Sequence, residues 1–240
     1  MNIEKINDFW VPSNDIHIED WKAGKPFTQN KCLNRFLEYL RTTKQHMNTV
    51  IDVGAWCGTW SKAIEPFAKK VIAFEPDSVH FECLQRNCVV NCDARMEAVG
   101  SELKQISLTE DNFTQAKRID KQGNINMTTL DKLQIKDVDM IKIDVEGLDH
   151  EVIKGMKKLL AKYRPVILVE YNFSNFKIIY NLVKINYKCY QFDMDQNKLK
   201  KLSDKEINLL ISGKTLEKKY SKNSVNIFYI HKNNQFNLKK

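Results

Sequence analysis

The chain has 240 residues, 42% hydrophobic and 28% charged, which suffices for a sizeable core and excludes wholesale disorder. No apolar run approaches the roughly 20 residues that span a bilayer, and the N-terminus has no apolar signal core, so a cytoplasmic protein with reduced thiols is expected. The net charge of +8 sits at the end: residues 198–240 hold eleven lysines against Asp204, Glu206 and Glu217, and residues 1–197 are neutral. This end reads as a solvated lysine surface, with attraction of an anionic substrate or nucleic acid as the second reading.

In chain order, Trp10, Trp21 and Phe27 lie in a segment with Pro12, Gly24 and Pro26, which either caps a site or packs as an arm. Leu33, Phe36, Leu37 and Leu40 share one face of an amphipathic helix beginning near Thr28. "TVIDV" (49–53) is a short beta-branched run, expected as a buried parallel strand, and a helix from Thr59 to about Ala68 follows, bent near Pro66. "KVIAFE" (70–75) predicts a second strand, residues 78–91 a helix, and "ARMEAV" (94–99) a third strand. A polar stretch to about Gln122 has room for a hairpin. "VDMIKIDV" (138–145) predicts a fourth strand, residues 148–163 one helix, "PVILVEY" (165–171) a fifth strand, and residues 175–187 another helix. "YKCYQFDM" and "NSVNIFYIHK" close the chain as alternating strands with no well-patterned helix between them. The alternation predicts an α/β fold: a doubly wound, mostly parallel, Rossmann-like sheet with helices on both faces and a C-terminal antiparallel pair. The expected divisions are an arm with its helix (1–44), a main domain (45–232) and a basic tail (233–240).

Of the six cysteines, Cys83, Cys88 and Cys92 fall in or at the end of a predicted helix at spacings of five and four. Zinc ligands usually come from tighter pairs on turns, so packing is expected here and no metal site. His17, His46, His80 and His231 carry no pattern and read as surface residues.

In doubly wound sheets, ligands bind beyond the C-terminal strand ends where strand order reverses. "DVGAWCGT" (52–59) should lie there, and Glu75 ends the next strand, 21 residues after Gly54. A carboxylate so placed accepts both hydroxyls of a ribose, which implies an adenosine-containing ligand. A dinucleotide loop starting at Gly54 needs glycine at 56 and 59, where Trp56 and Thr59 stand, and a tryptophan obstructs approach to a pyrophosphate. S-adenosyl-L-methionine carries no phosphate and needs one bare backbone position, which Gly54 supplies.

With these residues the chain resembles the FkbM-type S-adenosylmethionine-dependent methyltransferases over roughly residues 48–232. The resemblance rests on "DVGAWCG" (52–58), "FEPD" (74–77), Leu84, Asn87 and Asn91, "AVGS" (98–101), "TTLDKL" (128–133), "IKIDVEGLDHEVIKG" (141–155) and "PVILVE" (165–170). Trp56 stands where the family's first motif commonly has Asn, which suggests a more apolar floor near the cofactor tail. The resemblance implies that Asp52, Gly54, Ala55 and Gly58 line the cofactor's tail and ribose, and that Glu75 holds the ribose hydroxyls. It implies that Pro76, Asp77, Ala98 and Val99 flank the adenine, and that Asp144 faces the amino group and the transferred methyl.

Methyl transfer is an in-line displacement, so positioning matters most, and an alcohol acceptor also needs a base. On an extended strand Asp144 and Glu146 point to one side, a paired-carboxylate site whose oxygens also suit a hard divalent cation. His150 titrates nearest neutrality, and Glu170 ends the fifth strand at the same sheet edge. The leading expectation is O-methylation of a hydroxyl on a sugar or other small molecule. The alternatives are an RNA ribose 2'-O-methyltransferase, with Asp144, Lys154 or Lys157, and Glu170 in a Lys-Asp-Lys-Glu set, and a non-catalytic cofactor-binding module.

Overall fold

Parallel strands buried on both faces organise the chain, and their order fixes where a ligand can sit. The computed structural model describes residues 3–15, 17–23, 31–109, 118–193, 196, 198–214 and 226–234. The predicted helix start near Thr28, residues Gly24, Pro26 and Phe27, the hairpin tip and much of the lysine-rich end lie outside them.

The described elements begin with a hairpin, β1 (Ile3–Ile6) and β2 (Phe9–Pro12), then α1 (Ile18–Lys22) and α2 (Lys31–Thr42). Next come β3 (Met47–Val53), α3 (Thr59–Ile64) with a 3-10 turn over Glu65–Phe67, β4 (Ala68–Phe74), α4 (Ser78–Asn87) and β5 (Cys92–Arg95). A side sheet holds β6 (Ala98–Val99), β7 (Lys104–Thr109) and β8 (Arg118–Thr128). The chain returns through β9 (Val138–Ile143), α5 (Asp149–Lys154), α6 (Lys157–Tyr163), β10 (Val166–Glu170) and α7 (Phe173–Val183). It ends with β11 (Tyr187–Asp193), β12 (Lys198–Lys201), α8 (Asp204–Ile211) and β13 (Asn226–His231).

The main sheet runs β12-β11-β13-β10-β9-β3-β4-β5. From β10 to β5 all pairings are parallel, whereas β13 lies antiparallel between β10 and β11, so the doubly wound sheet ends in antiparallel strands as expected. Side chains alternate between two cores: Val166 and Leu168 belong to one with Phe36, Leu40, Trp60 and Phe228, Ile167 and Val169 to the other with Val152, Met156, Phe176 and Tyr229. Because both faces are covered, these strands read as continuous apolar runs. Strand order reverses at β3, which pairs with β4 on one side and β9 on the other, opening a crevice at their C-terminal ends.

Four expectations change. The third strand is two: β5 joins the main sheet, and β6 pairs with β8 in the side sheet. The helix expected over 78–91 stops at Asn87, because Asn87 is buried and its amide donates to the carbonyls of Trp10 and Cys57. Val89 and Val90 beyond it are exposed, and Cys92 lies on β5, so the three cysteines do not share one helix. The helix over 148–163 breaks at Gly155, where a Cβ would lie 1.9 Å from the Gly100 carbonyl oxygen. It restarts at Lys157 with Asp131 accepting from the main-chain N–H groups of Lys158 (3.0 Å) and Leu159 (2.8 Å). Finally, α8 occupies the connection expected to lack a helix; Ser203 and Glu206 cap its N-terminus reciprocally.

Candidate active site

The loop after β3 is shaped by contacts that forbid side chains. Gly54 has φ +78°, and a Cβ there would meet the Asp144 carbonyl oxygen at 1.9 Å, so only glycine fits. The N–H groups of Gly54 and Ala55 both donate to the Phe74 carbonyl at 3.0 Å, locking the loop to β4. Gly58, at φ +85°, precedes α3, where a Cβ would strike the Cys88 sulfur and Leu84.

Glu75 follows β4 directly, is 7% exposed, and accepts from the main-chain N–H of Trp56 (Oε2, 2.8 Å) and of Asp77 (Oε1, 2.9 Å). Burial pushes its carboxyl up to about 7, against the pull of those two donors. Asp77 caps α4, accepting from the N–H groups of Val79 and His80, and Pro76 is half-buried between the two acids. His80 is buried rather than at the surface, with Nδ1 3.5 Å from Asp77 and 3.9 Å from Glu75. His231 is buried as well, edge-on to Tyr187. Their positions on a helix start and a strand gave no periodic signal.

Trp56 takes φ +50° and turns its indole towards the N-terminal arm, 6.0 Å from the Trp21 ring and edge-on to His80 at 6.2 Å. Phe9 stacks on Trp21 at 5.0 Å, and Trp10 exchanges two main-chain bonds of 2.8 Å with the Asn87 side chain. The arm therefore packs on the Gly54–Gly58 loop and on α4, through a tryptophan that the expected polar residue would not provide.

Beneath the loop, Asp52 on β3 is in register with Lys142 on β9. Asp52 is fully buried; the Ser61 hydroxyl donates to Oδ2 at 2.6 Å, and the Lys142 nitrogen lies 3.5 Å from Oδ1 and 3.3 Å from Asp144 Oδ2. Burial alone would lower the lysine, but the charges of Asp144 and Asp52, with a smaller pull from Glu170, hold it protonated and above its ordinary value. Burial raises Asp52, opposed by Lys142 and Ser61. Asp52 thus supports the loop from below. Lys142 was absent from the sequence expectations; the signal was a charge inside the apolar run "MIKIDV".

The strand β9 ends at Ile143, so Asp144 and Glu146 are not side by side on an extended segment as expected. Glu146 sits at φ +49° on an exposed turn with Gly147 at φ +97°. Asp149, also missed in the sequence, closes this turn by accepting from the Val145 N–H (3.1 Å) and the Asn175 amide (3.1 Å). The Asn175 oxygen meets His150 Nδ1 at 2.9 Å, while His150 Nε2 lies 3.1 Å from Glu151, which also accepts from Ser101. Both ring nitrogens of His150 are therefore engaged. Glu170 ends β10, next to β9, and its charge reaches Lys142. Ala98 and Val99 are both buried in packing, Ala98 with Ile106 and Met127 and Val99 in the main core.

A mostly parallel sheet whose strand order reverses at β3, with a glycine loop and a buried carboxyl at that reversal, defines a Rossmann-like fold. The chain belongs to the FkbM methyltransferase family: the Methyltransferase FkbM domain matches residues 52–192, more than half of its length. A methyltransferase FkbM from Methylobacillus flagellatus KT is similar at 14% identity and TM-score 0.49, over 76% of this chain and 44% of that one, so the chain spans less than half of that protein. An rRNA methylase from Streptococcus thermophilus (8% identity, TM-score 0.50, 84% and 96% covered) shares the fold. So does a Streptococcus mutans protein solved in complex with SAH (8%, 0.50, 84% and 98%). No curated protein matches the chain. Among the described residues, no helix is long and apolar enough to cross a membrane.

Proposed function

We propose that the chain is a cytoplasmic S-adenosyl-L-methionine-dependent methyltransferase acting on a hydroxyl of a sugar or other small molecule. The observation that carries this reading is Glu75: a buried carboxyl at the crevice, hydrogen-bonded to the loop that carries Gly54, in the place where ribose hydroxyls would be accepted. The residues fit the cofactor: Gly54, Ala55 and Gly58 offer bare loop, Glu75 holds the ribose, and Pro76, Asp77 and the backbone of Ala98 and Val99 flank the adenine. When bound, the cofactor supplies a sulfonium methyl with an excellent leaving group.

The chain's own residues orient and charge the site. Lys142 ion-pairs with both Asp52 and Asp144, and Asp144 faces the cationic end of the cofactor. Asp144 and Glu170 then stand as the acids nearest a hydroxyl's proton. Glu146 on its exposed turn contacts the acceptor, and His150 positions the turn through Asn175. The division into arm and helix (1–44), catalytic domain (45–232) and tail (233–240) belongs to the same proposal.

One observation favours RNA ribose methylation: Lys142, Asp144 and Glu170 form a Lys-Asp-Glu group, with Lys142 in the place expected of Lys154 or Lys157. Lys154 instead pairs with Glu151, and Lys154 and Lys157 are both exposed. Against RNA, the described lysines of β12 lie on an edge strand, four strand spacings or about 19 Å from β9, where lysines commonly protect a sheet edge. Transfer of labelled methyl to hydroxylated small molecules, with RNA as comparator across a salt series, tests the proposal. Transfer to RNA with steeply salt-dependent affinity would favour the second reading.

A further inference from the structure

The turns on the far side of the cofactor loop bring together three groups that the sequence keeps apart. Glu65 lies in the 3-10 turn before β4, Cys88 just after α4, and Cys92 at the start of β5. The Glu65 carboxyl oxygen and the two sulfurs all lie within 4.8 Å of one another. Tetrahedral Zn2+, with bonds of about 2.3 Å to sulfur and 2.0–2.2 Å to oxygen, sets its ligand atoms roughly 3.5–3.8 Å apart, so a contraction of at most about 1.3 Å completes the set.

Two neighbouring polar groups are thinly partnered. Glu65 is 8% exposed, yet among the described residues its carboxyl has no ion-pair partner and a single long bond, from the Val90 N–H at 3.4 Å. A buried carboxylate is ordinarily matched by a charge or several donors. Asn91, between the cysteines, donates its amide to the carbonyls of Glu65 (3.1 Å) and Ala68 (2.6 Å), and its buried Oδ1 accepts from no described donor.

We propose that Glu65, Cys88 and Cys92 form a binding site for a thiophilic divalent cation such as Zn2+. Binding releases the two thiol protons and gives two thiolates and one carboxylate on the metal, with a fourth position for water. The site ties the α3–β4 turn to the α4–β5 turn. It does so directly under Gly58, to whose carbonyl the Cys88 thiol donates at 3.4 Å, a bond that the sulfur exchanges for the metal on binding. Its role is to brace the cofactor loop, and it takes no part in methyl transfer.

The test is titration of Co2+ into fully reduced protein, following thiolate-to-cobalt charge-transfer absorption, with Zn2+ competition and thermal unfolding alongside. One equivalent should bind with that absorption and be displaced by Zn2+. Cys92→Ser, at the half-buried ligand, should lose more than the roughly 10–100-fold in affinity that removal of an outer-shell partner costs. Glu65→Gln should weaken binding without removing all thiolate absorption, and Cys57→Ser should leave the cobalt absorption and affinity unchanged. Zn2+ should raise the unfolding temperature of the parent and not of Cys92→Ser. Absence of charge-transfer absorption in the reduced parent, or its persistence unchanged in Cys92→Ser, overturns the site. These readouts do not use methyl transfer, so they stand or fall separately from the proposed function.

Discussion

Asp52 and Lys142 face each other across the β3–β9 boundary, the lysine nitrogen 3.5 Å from a carboxylate that no solvent reaches. This is the point where the strand order reverses, so the pair lies at the foot of the crevice. Breaking a buried pair by removing one partner leaves an uncompensated charge, at a cost of about 3–5 kcal/mol. Lys142→Met should lose stability on that scale in chemical denaturation. Adding Asp52→Asn should return a substantial part of the loss, because the orphaned charge is then gone.

Glu75 should make the unliganded protein less stable as pH rises from about 4.5 to about 7. Its folded value is raised, so across that window the folded chain holds a proton that the unfolded chain has released. The shift corresponds to roughly 3 kcal/mol. Glu75→Gln should flatten the stability profile in this range and leave the variant the more stable above pH 7. Ribose hydroxyls favour the ionised carboxylate, so cofactor binding near pH 6.5 should release a proton, measurable by calorimetry in buffers of different ionisation enthalpy.

Two glycines with positive φ should respond differently to alanine. At Gly54 the new methyl would lie 1.9 Å from the Asp144 carbonyl oxygen, so Gly54→Ala should cost more than about 2 kcal/mol and abolish cofactor binding. At Gly147 the nearest atom would be the Asn175 nitrogen at 3.9 Å, so only backbone strain of about 1–2 kcal/mol is expected. Unfolding curves and cofactor titration of the two variants check the contrast.

Trp56→Asn should preserve cofactor binding within about tenfold, because its bond to Glu75 comes from the main chain. It should loosen the arm, whose contact with the loop runs through Trp21. Faster hydrogen exchange over residues 3–23, with little change elsewhere, is the expected outcome. Uniformly faster exchange would mean that Trp56 supports the whole fold.

How much of this was legible depended on the range of the interactions. Strands β3, β4, β9 and β10 were legible because two-sided burial writes itself as an apolar run, and Gly54 and Glu75 because a tight turn and a strand-end acid have a fixed spacing. The break at Gly155 was not, since its cause is the Gly100 carbonyl, far away in sequence. "CVVN" misled because Val89 and Val90 are apolar yet exposed, and the Ser203–Glu206 capping signal was short enough to pass unread. The cluster of Glu65 with Cys88 and Cys92 needed three elements folded together.

Calorimetric titration of S-adenosyl-L-methionine into the protein and into Glu75→Ala, with NAD as comparator, tests the central claim most directly. Micromolar binding that is lost in the variant, with no signal from NAD, is the predicted result. A folded protein that binds no S-adenosyl-L-methionine, or binds it equally well in Glu75→Ala, would contradict the assignment of this crevice as the cofactor site.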